Sequence, residues 1–356
     1  MQFLLPFEHG DRFPSKKGAI AAILLAGTLS VLCAEVFSGA SVLWIINPVS
    51  WVFMFPLYLT HLLLFFNLAI MFRRTSLTSL YLWGVLFGMY ESWITKVTWA
   101  GYMGQQPQWG MIFGFAPAEF FIIIFFWHPV MSFIVPIFLF ETLSTSQDRN
   151  NPVIAGHSAV LLRGKRSAVG LALLAVIGAV FLSFNAKSDI GSALVTLIGT
   201  AAITAIFWYC TTRWNDNQFS VFSLTLSRPG FAVLLVYLAS LYGLTFFLLL
   251  PERIAPPLTI FLTVLFYAVI ILLLWFDTQV EQPAEYLIAD QDIIGTPDLV
   301  RYLGFAVVLV TLFCLLSSVG TAAGIILYIA CTAGGPVLAA YVVIHVFWKK
   351  QTLQRD

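Results

Sequence analysis

The chain has 356 residues, 60% of them hydrophobic and only 10% charged, with a formal net charge of +1. Its mean hydropathy of +0.91 is more than a soluble domain of this length can hide, and near-neutrality offers nucleic acid nothing to hold. Cys33, Cys210, Cys314 and Cys331 all sit in apolar runs without a C-x-x-C pair, so neither a zinc site nor a disulfide framework is indicated.

Apolar runs near twenty residues recur along the whole chain, which predicts an all-α polytopic integral membrane protein, multi-pass in the cell membrane. About ten transmembrane helices are expected, at 18–40, 49–72, 76–101, 111–142, 168–184, 191–211, 231–250, 257–276, 301–320 and 322–348. Arg12, Lys16 and Lys17 lead the first run as they would a signal peptide. That run is long and lacks a small-x-small cleavage pattern, so it reads as a retained first helix.

The first four runs carry the intramembrane polar chemistry, and residues 1–147 form an N-terminal four-helix module. Glu35 lies in the first run, His61 in the second, Glu91, Thr95 and Lys96 in the third, and Glu119 and His128 in the fourth. An ionised group in hydrocarbon costs several kcal/mol unless it pairs, protonates or lines a wet cavity, so these are candidate proton- or substrate-binding residues. Gly84, Gly88, Glu91 and Thr95 share one helical face, and a small-residue stripe lets a neighbouring helix come close. Glu91 should therefore face protein, with the Thr95 hydroxyl one turn away. Lys96 sits about 140° around the helix from Glu91, so it should seek a partner on another helix or snorkel to the head groups.

The fourth run is long for one span and contains Pro117, Pro129 and Pro136. Glu119 follows Pro117 and suits the first turn of a helix that starts there, where the backbone dipole favours a carboxylate. His128 precedes Pro129, which frees the carbonyl of Phe125 and invites a kink. His128 and Glu119 are on opposite faces and form no same-helix dyad. Glu141 reads as interfacial. The uncharged loop Trp99–Gly110, aromatic and rich in Gln, suits sugars or polar head groups, although an aromatic belt would look the same.

Residues 148–167 form a basic cytoplasmic linker in which His157 has no evident partner acid. A second module of six helices, 168–356, follows with no charged residue in the helix cores. Before its fifth helix runs an acidic segment (Asp277, Glu281, Glu285, Asp290, Asp292, Asp298) that reads as a solvated loop, with Thr296 capping the next helix and Pro297 in its first turn. The last two helices meet at a short turn around Gly320. Gly334-Gly335-Pro336 should break or bend the last one near its centre.

Lys and Arg positions test the count. With the N-terminus inside, the cytoplasmic side receives fifteen: Arg12, Lys16, Lys17, Arg73, Arg74, Arg149, Arg163, Lys165, Arg166, Arg213, Arg228, Arg301, Lys349, Lys350 and Arg355. The other side receives only Lys187 and Arg253, so both termini should be cytoplasmic. Helix one runs outward, as does helix three, which places Glu35 near the outer end and Glu91 ~12–16 Å below the interface that Trp99 and Tyr102 would mark. Glu119 falls in the outer half of helix four, and His61 near mid-membrane.

The zinc signature H-E-x-x-H, the phosphate loop, the nucleophile elbow and the dinucleotide fingerprint are all missing, and no cofactor or metal is expected. Three functions stay open. The first is a proton- or cation-linked secondary transporter of a small molecule that uses the carboxylates of helices one, three and four. The second is a membrane-embedded enzyme acting from the extracytoplasmic face on a lipid or lipid-linked sugar. The third is a non-catalytic subunit pairing with another membrane protein. The expected partners are the bilayer and a small molecule or lipid, with no nucleic acid.

Overall fold

The computed structural model describes residues 15–277, 284–287 and 291–353; Arg12, Glu281, Asp290 and Arg355 lie outside them. Helix dominates. The chain runs through α1 (Lys16–Val31), α2 (Phe55–Met71), α3 (Leu77–Gly88), α4 (Tyr90–Trp93), α5 (Val97–Ala100), α6 (Pro117–Ile122) and α7 (Val135–Thr145). After β1 (Val153–Ile154) come α8 (Ser158–Leu161), α9 (Lys165–Asn185), α10 (Ile190–Trp214), α11 (Arg228–Leu248) and α12 (Pro257–Phe276). Then follow β2 (Ala284–Glu285), α13 (Thr296–Leu315) and α14 (Ser317–Leu353). Segments with π-helical bonding extend α1 (Leu32–Val36), precede α2 (Ser50–Met54) and join α6 to α7 (Ile123–Ile134). Local chemistry starts several helices: Ser15, Ser76, Asp189 and Ser227 cap α1, α3, α10 and α11 with their side-chain oxygens.

Nine helices among the described residues are long and apolar enough to cross a membrane. The tenth expected crossing, 76–101, is no single helix. α3 stops at Gly88, α4 lasts one turn, and Lys96 then adopts a left-handed conformation (φ 59°) before the short α5. A left-handed residue cannot propagate a right-handed helix, and with α3 already stopped at Gly88 this run is interrupted between Gly88 and Val97. Conversely, α14 continues without interruption through Gly334, Gly335 and Pro336, so the break expected there is absent. The turn between the last two helices lies at Leu316, and Gly320 is already inside α14. The fourth run becomes helical only at Pro117, then stays helical to Thr145. Gly295, one residue earlier than expected, caps α13, and Asp298 accepts its N–H at 3.0 Å.

Two compact units interleave along the chain rather than following one another. Unit 1 comprises Met1–Leu63, Val135–Thr225 and Glu281–Leu327, and unit 2 comprises Leu64–Ile134, Leu226–Val280 and Tyr328–Asp356.

In unit 1, α1 packs on α10 and α7, and α9 packs on α13. The connection after α7 is folded against this bundle. Val153 and Ile154 are fully buried, β1 pairs antiparallel with β2, and Arg163 reaches Asp298 at 2.6 Å. Glu141, expected at an interface, is fully buried. It is also the acid that His157 seemed to lack in the sequence. His157 Nδ1 lies 2.7 Å from Glu141 Oε2, and the Ile154 N–H donates to Oε1 at 2.7 Å.

In unit 2, α3 packs on the π-helical Ile123–Ile134 segment. Glycine makes that approach possible. A Cβ on Gly84 would stand 2.5 Å from the Pro129 Cα, and one on Gly88 would stand 2.9 Å from the His128 Cβ. The carbonyl of Phe125, which Pro129 cannot serve, accepts a hydrogen bond from the Tyr81 hydroxyl at 2.6 Å.

Candidate functional site

Where α3 ends, unit 2 gathers Glu91, Thr95, His128 and Ser132. Glu91 stands in the isolated turn α4, and the Thr95 hydroxyl donates to its carboxylate and lies 3.0 Å from its backbone carbonyl oxygen. His128 comes from the facing π-helical segment, with Nε2 3.3 Å from Glu91 Oε1. Its Nδ1 shares a hydrogen bond of 2.8 Å with Ser132 Oγ, one turn further along. The imidazole lies parallel to Phe87 (centroids 5.5 Å apart) and edge-on to Tyr90 (5.0 Å). These rings fix its plane.

The geometry sets the protonation logic. With Glu91 ionised, His128 Nε2–H donates to it and Nδ1 accepts from the Ser132 hydroxyl; a second proton on the ring makes both nitrogens donors. His128 is only 2% exposed, whereas the Glu91 side chain keeps 12% of its surface open. The pair is therefore more open on the Glu91 side. Tyr242 and Tyr102 both lie within electrostatic reach of Glu91.

Glu119 is held separately. It occupies the first turn of α6 after Pro117, as the sequence suggested, fully buried, and Oε1 accepts from the Gln108 N–H at 3.1 Å. Its other oxygen is buried and has no hydrogen-bond partner among the described residues. Tyr102 feels both Glu119 and Glu91, and also Tyr328. The two carboxylates thus share one tyrosine but do not touch each other's hydrogen-bond partners.

Lys96 does not pair with Glu91. Its ammonium donates to the carbonyls of Leu249 and Thr245 (3.2 Å to the latter) at the C-terminal end of α11, and lies 5.7 Å from the centre of the Phe246 ring. A cation there meets the carbonyl end of a helix dipole and the face of an aromatic ring. The side chain is covered by protein. Trp99, expected at the outer interface, is also buried and donates to Thr263 Oγ1 at 3.1 Å.

Glu35 and His61 belong to unit 1. Glu35 lies in the π-helical end of α1 and accepts from the hydroxyls of Ser41 and Tyr58. His61 is buried, with Nδ1 2.7 Å from the carbonyl of Leu57. Of the residues singled out in the sequence, Glu91, Thr95 and His128 therefore form one cluster. Ser132 completes it, and sequence reasoning missed both it and the Glu91–His128 pairing. The available signal was the glycine stripe: whatever packs on Gly84 and Gly88 lies beside Glu91. No group of three or more potential metal ligands occurs among the described residues.

Apolar helices of this number and length define the class: this is an all-α, multi-pass membrane protein. Residues 24–355 match the model of an uncharacterized membrane protein family, and the chain belongs to that family. It is 36% identical over 158 residues to an uncharacterized protein of Archaeoglobus fulgidus, a match covering 43% of this chain and 48% of that relative. The chain thus matches about half the length of that relative. No solved structure matches.

Proposed function

We propose that the protein is a proton-linked secondary transporter in which Glu91 and His128 carry the coupling proton. One observation supports this above the others: the Glu91–His128 pair sits where a helix is interrupted, between Gly88 and Val97. Broken helices recur around the sites of transporters because the interruption exposes backbone groups and supplies a place to flex. The substrate is a small molecule that reaches Glu91, and Glu119, with its buried, unpartnered carboxylate oxygen, is a second proton- or cation-binding group.

Thiol access tests the reading. In a background lacking Cys33, Cys210, Cys314 and Cys331, single cysteines at Thr95, Ala118 and Thr332 are treated with impermeant reagent from each side of the membrane in turn. Labelling of one position from both sides is the expected result, because alternating access requires it. Labelling of every position from one side alone would remove the transporter reading.

A second reading rests on Ser132. Ser132–His128–Glu91 has the connectivity of nucleophile, base and orienting acid, which suits a membrane-embedded enzyme acting on a lipid ester. Ser132 is fully buried, which weighs against it. A fluorophosphonate probe separates the two: the enzyme reading requires covalent labelling that Ser132→Ala abolishes, and the transporter reading requires none.

A further inference from the structure

Unit 1 contains a half-open apolar pocket of about 190 Å³ walled by α1, α7, α9, α10 and α13. Close-packed helices leave few spaces larger than a water molecule between them, so this pocket has room for a guest. Its walls are leucine and alanine, among them Leu29, Leu143, Leu174 and Leu303. Water would find too few hydrogen-bond partners to stay there.

Among the few polar residues in the lining (Thr204, Trp208, Thr296 and Tyr302), one stands out. Trp208 lines the cavity, and its indole N–H is buried with no hydrogen-bond partner among the described residues. A buried donor without an acceptor is costly, and a bound molecule carrying an oxygen would relieve it. The position of the tryptophan says which kind of molecule. It lies about 9 Å before the end of α10, which Arg213 marks, while Thr296, also in the lining, opens α13. Ala306 and Leu32 line the cavity deeper along their helices. An amphiphile fits this polarity, its oxygen near the helix ends and its hydrocarbon inward.

We propose that the cavity holds one hydrocarbon chain of a membrane glycerolipid, with Trp208 donating to an oxygen of the glycerol linkage. The bilayer supplies such chains at that depth in any membrane the protein spans, and the walls offer them only apolar contact. This lipid is retained rather than exchanged with the surrounding annulus, since five helices flank its chain and Trp208 holds its head end. The site is distinct from the Glu91–His128 cluster, which belongs to unit 2.

The test uses the full-length protein, purified in detergent and washed until free phospholipid is gone. Phosphorus analysis and native mass spectrometry should find about one glycerophospholipid per wild-type chain. Ala201→Phe, which fills the cavity, should abolish retention, and Trp208→Phe, which keeps the ring but removes the donor, should weaken it about fivefold. Should Ala201→Phe fail to fold, dibrominated phosphatidylcholine decides: the emission lost in Trp208→Phe, taken by difference, should be quenched more strongly than the emission that remains. Retention of detergent or free fatty acid alone would overturn the proposal. So would equal lipid in wild type and Ala201→Phe, or a Trp208 emission no more quenched than the rest.

Discussion

Each unit contains a glutamate paired with a histidine, and the two pairs differ in almost every physical respect. In unit 1, Glu141 and His157 are 2.7 Å apart and essentially unexposed, and the Ile154 N–H takes the carboxylate's other oxygen. In unit 2, Glu91 and His128 are 3.3 Å apart, the glutamate keeps 12% of its side-chain surface open, and hydroxyls rather than backbone groups complete both partners. The first pair fastens the connection after α7 to the helix it leaves. The second sits on an interrupted helix, where hydroxyls can exchange donor and acceptor roles as a proton arrives. The same two residue types are thus tied through both carboxylate oxygens into the fold in unit 1, whereas in unit 2 the glutamate keeps one face open.

The sharpest way to break this comparison is to remove one partner from each pair. Glu141→Ala strands a buried imidazole and the Ile154 N–H, and should cost about 3–5 kcal/mol of stability, read as a lowered unfolding midpoint in detergent. Glu91→Gln retains an acceptor for His128 and Thr95 and should cost about 1 kcal/mol or less, while removing pH dependence from any transport measured in proteoliposomes. If Glu91→Gln destabilises as much as Glu141→Ala, the unit 2 pair is a clamp too.

Glycines supply the next test, at smaller effect. Gly84→Ala drives a methyl group into the backbone of Pro129 and should cost about 1–3 kcal/mol, displacing His128 relative to Glu91. Gly170→Ala, in α9 of unit 1, meets nothing within 4 Å and should gain up to about 1 kcal/mol from helix propensity. Equal midpoints for the two variants would mean that α3 does not depend on close approach to the π-helical segment.

The contrast also explains what the sequence could disclose. Long apolar runs declare membrane helices, and the stripe from Gly84 to Thr95 correctly turned Glu91 toward protein, because both signals are periodic and local. Pro129 pointed to a loosened backbone around Phe125, though not that the Tyr81 hydroxyl would reach the Phe125 carbonyl. Partnerships across helices left no such mark. Glu91 and His128 are 37 residues apart, and Glu141 and His157 are 16 apart across a connection that looked like a solvated linker. The helix break was misplaced for a related reason. Gly-Gly-Pro is a compositional signal that α14 absorbs, whereas the real interruption comes from Lys96 turning left-handed to reach the end of α11. That conformation is decided by a tertiary contact, not by residue type.

The smallest expected effect concerns the same folded connection and asks whether its clamp extends beyond Glu141. Burial acts to raise the Glu285 carboxyl, but the N–H groups of Gly156 and Ser158 more than offset it and hold it below its ordinary value of 4.5. A carboxylate depressed in the folded state adds stability that is fully present above about pH 4.5 and is lost as pH falls through the lower folded value. Because Glu285 is only partly buried, solvent discounts the gain, and a fall of a few degrees or less in the unfolding midpoint is expected below that pH. Glu285→Gln should flatten this acid limb while leaving the midpoint at neutral pH nearly unchanged. An acid limb that persists unaltered in Glu285→Gln would assign the loss to other carboxylates, and would confine the clamp in unit 1 to Glu141 and His157.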